Sequence, residues 1–226
     1  MQTLLQPAPR RETLGANVLF QIKDLLLSGR LMPGEQLSLR STAEALGVSV
    51  MPVREAVYQL VADQALEVAP NRSVRVPTMT GKQFKEITEI RLQIEGYAVE
   101  QAALKATPAL IRSLKRLNKT LAKEMDFADS DRASIVMINK EIHFSIYEAA
   151  EMPMLVKIIE TLWLRIGPIL NYDLRAGSER TQKKTAVGHH DRMIAALEQG
   201  KPLEARQALD SDIKGAFDYI YAKQFS

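Results

Sequence analysis

Gln36 to Val76 reads QLSLRSTAEALGVSVMPVREAVYQLVADQALEVAPNRSVRV, and its punctuation decides the N-terminal fold. Ser38 stands where a helix N-cap is wanted, and Ala43 and Leu46 supply the inner face of a short helix. Gly47 ends that helix, since it accepts a positive φ at little cost. Ser49 caps the next helix and Pro52 falls in its first turn, where no ladder N–H is lost. Val53, Ala56, Val57, Leu60 and Val61 follow at the spacing of one buried helical stripe. Leu66 and Val68 then alternate, Pro70-Asn71-Arg72-Ser73 turns the chain, and Val74 and Val76 alternate again, so a β-hairpin with Arg72 at its tip is expected. Two helices about a tight turn, followed by a hairpin, describe a winged helix-turn-helix, whose second helix enters the DNA major groove.

Upstream, Val18, Leu19, Ile22, Leu25 and Leu26 predict a supporting helix over 16–29, ended by Gly29. Pro33-Gly34 suits the middle of a type II turn. The outward face of the second motif helix shows Val50, Met51 and Arg54 near its N-terminus, where base edges are met. A cation at the wing tip reaches phosphates or the minor groove.

Pro33-Gly34-Glu35, Leu46-Gly47-Val48-Ser49 and Pro52-Val53-Arg54-Glu55-Ala56, in that order and spacing, resemble the GntR superfamily of bacterial transcription regulators. The resemblance implies double-stranded operator DNA as partner and places Arg40 and Arg54 on DNA-contacting positions. With the helix start and the wing, the candidate DNA-binding set is Arg40, Ser49, Val50, Met51, Arg54 and Arg72. Two positions depart from the family, which usually has Arg at Val50 and Gly at Ser73. A missing arginine removes a potential bidentate guanine contact, so the family's usual operator is not expected. Thr42 also replaces a common core leucine, a matter of packing.

A chain of 226 residues is long enough for one large domain or two small ones, with enough length to bury real cores. It has no cysteine, which excludes disulfides, thiolate metal sites and a cysteine nucleophile. The opening MQTLLQPAPRRETL lacks the apolar run of a signal peptide and reads as a short tail. The most apolar stretch, Met152 to Leu170, is interrupted by Lys157, Glu160 and Arg165, which suits a buried bundle helix and not a membrane span. A cytoplasmic protein is expected. Residues 1–78 hold 8 Lys+Arg against 7 Asp+Glu, so the DNA reading rests on where the arginines sit, not on bulk charge.

The expected division is a DNA-binding domain over 10–78 and an all-α domain over 79–226, joined by Pro77-Thr78-Met79-Thr80-Gly81. In the second, Phe84, Ile87, Ile90, Ile94, Tyr97 and Ala98 form one stripe. Thr107 caps a helix with Pro108 at its first position and Leu110, Leu114, Leu117 and Leu121 along it. Asp126 to Asp131 reads as an acidic loop, and Ile135, Ile138, Ile142 and Ile146 mark the next helix. Residues 154–170 predict an apolar helix kinked at Pro168, and Asn171 to Lys184 a polar stretch with a loop. Helices over 186–199 and 202–222 close the chain. The fold class is mainly α: three helices plus a β-hairpin wing, then an all-α antiparallel helical bundle.

The bundle resembles the FCD domain, the C-terminal partner in one large GntR subfamily. The landmarks are Arg91-Leu92-Gln93-Ile94-Glu95, Asn139 with His143-Phe144, and His190 ahead of Ala196-Leu197. That resemblance implies a homodimeric regulator, commonly a repressor, that binds a small carboxylate effector. It further implies a divalent ion held by an Asp or Asn four residues before a His, and by two later histidines. Carried over, the metal set is Asn139, His143, His190 and Asp212, with Asp212 in place of the usual His. Zinc, nickel or manganese would suit it. Asn139 and His143, at i and i+4, share a helix face on spacing alone. The alternative is a hydrogen-bonded core histidine in a site that has lost its metal.

His189 reads as a neighbouring or surface group. Arg91 is a candidate carboxylate clamp, its planar fork suited to the task; the competing account is a plain i, i+4 ion pair with Glu95. Arg165, near Trp163 and Tyr172, is the second effector candidate, and Trp163 itself reads as core. An enzyme is not expected. A metal-dependent hydrolase would use the His/Asp site to activate water, but no HExxH is present. An architectural DNA-binding protein with a purely dimerising bundle is the other alternative.

Overall fold

The computed structural model describes residues 14–126, 132–175 and 179–225. The tail before Leu14 and most of the acidic stretch 126–131 lie outside the described residues. The winged module contains α1 (Leu14–Leu27), α2 (Leu39–Leu46) and α3 (Val50–Ala62). It also has three short strands, β1 (Gln36–Leu37), β2 (Glu67–Val68) and β3 (Val74–Arg75). All pair antiparallel in the order β1-β3-β2, with Leu37 opposite Val74 and Val68 opposite Val74. The first strand was not foreseen. It forms because the turn at Pro33-Gly34 brings the chain back onto the wing: Gly34 has φ +83°, Glu35 N–H donates to Met32 O at 3.0 Å, and Val76 N–H donates to Glu35 O at 2.9 Å.

Capping follows the sequence at α2, where the Ser38 hydroxyl accepts from Ser41 N–H at 3.3 Å and Gly47 takes φ +64°. Ser49 occupies the cap position of α3, yet its side chain makes no capping bond. Val53, Ala56, Val57 and Leu60 are buried as the stripe requires, against Val18, Ile22 and Leu26 of α1. Val68 departs from expectation. It is 51% exposed, because only β3 among the wing strands lies between two neighbours and β2 is an edge.

The bundle comprises α4 (Gly81–Ala103), α5 (Pro108–Glu124), α6 (Arg132–Ala149), α7 (Pro153–Arg175), α8 (Glu179–Gln182), α9 (Thr185–Glu198) and α10 (Pro202–Gln224). Helix α4 opens on a reciprocal capping box, Gln83 N–H to the Thr80 hydroxyl at 3.3 Å and Thr80 N–H to Gln83 Oε1 at 2.9 Å. Its inward face is Phe84, Ile87, Thr88, Arg91, Glu95, Ala98 and Val99; Ile90 and Tyr97 point outward instead. The predicted stripe drifted because two buried charges hold positions that a purely apolar reading assigns to the surface. The helix α7 continues through Pro168 to Arg175, so the polar stretch after Leu170 is mostly helical. At Gly96 a Cβ would stand 3.0 Å from Arg206 Nε; the arginine crosses there to reach Glu100 at 3.1 Å and ties α10 to α4.

One hydrophobic cluster runs from Val18 and Leu26 through Leu114, Ile142 and Ile146 to Leu209. The two halves meet where α1 lies along α7, with Lys23 Nζ 3.1 Å from Glu160. Among the described residues, no helix is long and apolar enough to cross a membrane.

Candidate functional site

Two surfaces carry the chemistry. On the winged module, Arg40, Ser49, Met51, Arg54 and Arg72 are exposed, while Val50 is half-buried against the core. Met51 is 59% and Tyr58 is 62% exposed, so α3 presents a thioether and a phenol about two turns apart on the side that also carries Arg54. Tyr58 was not singled out from sequence, although its i+7 spacing from Met51 was there to read.

Arg72 carries the wing's strain. The Ala69–Arg72 turn closes with Arg72 N–H to Ala69 O at 2.8 Å, and Asn71 Oδ1 accepts from Ser73 N–H at 3.1 Å. That leaves Arg72 at φ +63°, the position after a type I turn that glycine usually fills. A non-glycine residue there costs about 1–2 kcal/mol. Arg72→Gly is therefore expected to raise the unfolding midpoint of the wing-bearing module while weakening DNA binding. A salt titration of binding would show a slope shallower by about one phosphate contact. An unchanged affinity and slope would remove Arg72 from the interface.

In the bundle, His143 of α6, His190 of α9 and Asp212 of α10 converge, with their ligand atoms all within 4.8 Å of one another and all three residues buried. His143 Nε2 lies 3.2 Å from His190 Nε2 and 3.4 Å from Asp212 Oδ2. Outer partners fix which nitrogens carry protons. Asn118 of α5 donates its amide to Val187 O at 3.1 Å and to Asp191 Oδ1 at 2.7 Å, so its oxygen faces His190 Nδ1 at 3.1 Å and must accept. His190 therefore carries its proton on Nδ1 and turns a lone pair inward. Tyr147 donates its only proton to Glu95 Oε2 at 2.5 Å, so its oxygen accepts from His143 Nδ1 at 3.2 Å. Burial, reinforced by the Glu95 charge, raises the Tyr147 phenol well above its ordinary value and keeps that proton in place.

The result is two imidazole lone pairs and a carboxylate aimed at one point. Burial, then the neighbouring His143, lowers His190 to about 3, so it carries no second proton near neutrality. Burial would raise Asp212, but the His143 and His190 imidazoles beside it and the Arg180 charge outweigh that and hold it below the usual carboxylate range. Asp212 Oδ1 is buried without a hydrogen-bond partner among the described residues, and so is Trp163 Nε1 in the same wall. An unmet acceptor and an unmet donor beside three converging lone pairs fit a cation with an oxygen ligand. Donors about 2.0–2.1 Å from a tetrahedral ion stand roughly 3.3–3.4 Å apart, which the two separations from His143 Nε2, 3.2 and 3.4 Å, match. Asn139, half-buried one turn before His143, lines the same void.

The void itself is about 40 Å³, bounded also by Arg91, Trp163 and Arg180. Arg91 forms the i, i+4 pair with Glu95 that its spacing suggested, and it also lines the cavity. Its Nε pairs with Glu95 Oε1 at 2.6 Å, both side chains being buried, and its guanidinium lies 5.2 Å from the Trp163 ring while facing the cavity. Arg165 does not join: it lines a separate cleft between the wing and the bundle. His189 sits half-buried beside Arg192, which donates to its Nδ1 at 2.6 Å. Asn118, Tyr147 and Asp191 were missed from sequence, since each reads there as an ordinary helix residue.

Comparison with known proteins agrees with both halves. Residues 14–76 match the model of bacterial regulatory proteins of the gntR family, and residues 86–215 match the FCD domain. The Escherichia coli HTH-type transcriptional regulator McbR is 35% identical over 176 residues, 78% of each chain. The gluconate operon transcriptional repressor of Bacillus subtilis is 24% identical over 74% of this chain and 67% of its own. The solved E. coli McbR/YncC structure superposes with a TM-score of 0.85 at 31% identity, covering 93% of this chain and 98% of that one. The chain belongs to the GntR family of transcription regulators and carries that family's DNA-binding domain ahead of an FCD domain.

Proposed function

We propose that this chain is a homodimeric repressor whose bundle holds one divalent transition metal and uses it to read a small carboxylate. The observation that carries the reading is the convergence of the His143, His190 and Asp212 lone pairs, with tautomers set by Tyr147 and Asn118. Asn139 would be the fourth donor. A bound ion supplies an open position that a carboxylate oxygen can take, with Arg91 and the Trp163 N–H at the wall to orient it. A void of about 40 Å³ takes little more than one water, so an organic acid larger than that must push α7 or α9 outward.

That displacement has a path to the DNA-binding domain. Trp163 is three residues from Glu160, which pairs with Lys23 of α1, and α1 backs the recognition helix. A ligand changes DNA affinity only through unequal binding to the two arrangements, and a wall of α7 that moves to admit it provides that inequality. The dimer reading draws on Ile90 and Tyr97 of α4 and Leu104 at its C-cap, exposed by 38%, 43% and 65% at a seven-residue repeat.

Plasma mass spectrometry of untagged protein, purified without chelator, tests the metal directly. About one transition metal per chain is expected; protein that arrives empty and takes up none would sink the proposal. For DNA, an operator selected in vitro should bind Arg54→Ala at least about tenfold more weakly, the cost of one specific base contact. Equal affinity of the variant would mean that α3 does not read base edges through Arg54.

A further inference from the structure

Arg165 stands without a counter-ion. It lies on α7, half-buried, and makes no hydrogen bond or ion pair among the described residues. It opens onto a cleft of about 460 Å³ at the junction of the two domains, within the range of small-molecule sites, which favour domain interfaces. Leu66, Val68 and Met79 give this cleft an apolar wall, and Gln64 adds an amide from the end of α3. Glu67 is the carboxylate of the lining, but it is committed to Arg75 at 2.6 Å. A partly desolvated guanidinium facing an apolar wall, with the local acid already taken, is a site for an anion brought from outside.

We propose that the junction cleft is a second ligand site, separate from the donor cluster, for a small monocarboxylate with an apolar body. The carboxylate pairs with Arg165, and the body covers Val68, which is otherwise 51% exposed on the edge strand of the wing. Such a ligand touches the wing, the linker and α7 together. It therefore favours the arrangement of domains in which all three surround it, whether or not the bundle holds a metal.

Benzoate, with benzamide as its uncharged counterpart, is a suitable probe. Met79 is the methionine of the cleft, so its methyl resonance in methyl-labelled full-length protein reports occupancy, assigned through Met79→Leu. Saturable movement of that resonance with benzoate is expected, and binding of benzamide at least about tenfold weaker. Arg165→Gln should weaken benzoate by a similar factor without altering the melting temperature, because the arginine has no internal partner to lose. Val68→Glu, which adds a carboxylate to the wall of the Arg165 cleft from an exposed position, should do the same. A resonance that stays still, or that moves equally with benzamide or in both variants, overturns the site.

Discussion

Replacing Glu95 with alanine is expected to destabilise the bundle by about 3–5 kcal/mol, the cost of breaking a buried ion pair. Glu95 is fully buried and meets three demands at once. Its two oxygens receive Arg91 Nε at 2.6 Å and an Arg91 terminal nitrogen at 3.2 Å, and one of them also takes the Tyr147 proton at 2.5 Å. Alanine strands a guanidinium in a site with 4% exposure and leaves a buried phenol with no acceptor. A surface pair at the same i, i+4 spacing would be worth a few tenths of a kcal/mol; burial alone makes the difference. Urea unfolding followed by the fluorescence of Trp163, the single tryptophan and 5.2 Å from the Arg91 guanidinium, gives the measurement. Exchanging both charges, as Arg91→Met with Glu95→Leu, should recover much of the loss, since the penalty belongs to the unpaired ion and not to the pair. A cost below about 1 kcal/mol for Glu95→Ala would mean that water reaches Arg91 and that the cavity wall opens readily to solvent.

The architecture was legible because its signals are local. Ser38, Gly47 and Pro52 punctuate the helix-turn-helix within a few residues of one another, and each acts through the backbone next to it. Thr107-Pro108 did the same for α5. The Thr80–Gln83 capping box was equally local, though it was not read from the sequence. What period-counting could not reach was the rotation of α4. Arg91 and Glu95 face inward because a partner exists for each across the bundle, Trp163 for one and Tyr147 for the other. No window of one helix contains that fact.

The site divides in the same way. His143 and His190 lie 47 positions apart, and only the family pattern joined them to Asp212; the structure then places all three within reach of a single ion. The residues that decide their protonation were invisible for a physical reason. Asn118 sits on the buried face of α5 beside Leu114 and Leu121, where an isolated asparagine reads as a polar interruption. Its meaning depends on Val187 and Asp191, some 70 residues on, because these acceptors dictate which way its amide points. The wing tip shows the complement. The family's glycine was matched to Ser73, yet the residue at positive φ is Arg72, so the strain falls on the cation itself.

Those outer partners make the sharpest test of the proposed metal site, through affinity in place of occupancy. His190→Ala removes one of two imidazoles and is expected to abolish tight binding, measured by competition with a chromophoric chelator. Asn118→Ala removes no ligand, yet it should weaken the ion by about 10–100-fold. Without the Asn118 oxygen, His190 loses the acceptor for its Nδ1 proton, and the tautomer with a proton on Nε2 aims N–H at the centre. Tyr147→Phe acts on His143 by the same logic and should weaken binding by a similar factor. Lowering the pH should weaken all forms, because protons compete with the ion for the same lone pairs. If Asn118→Ala and Tyr147→Phe bound metal as tightly as the parent, the lone pairs would not be held by these partners. The convergence at His143, His190 and Asp212 would then be a packing arrangement that protons can satisfy without an ion.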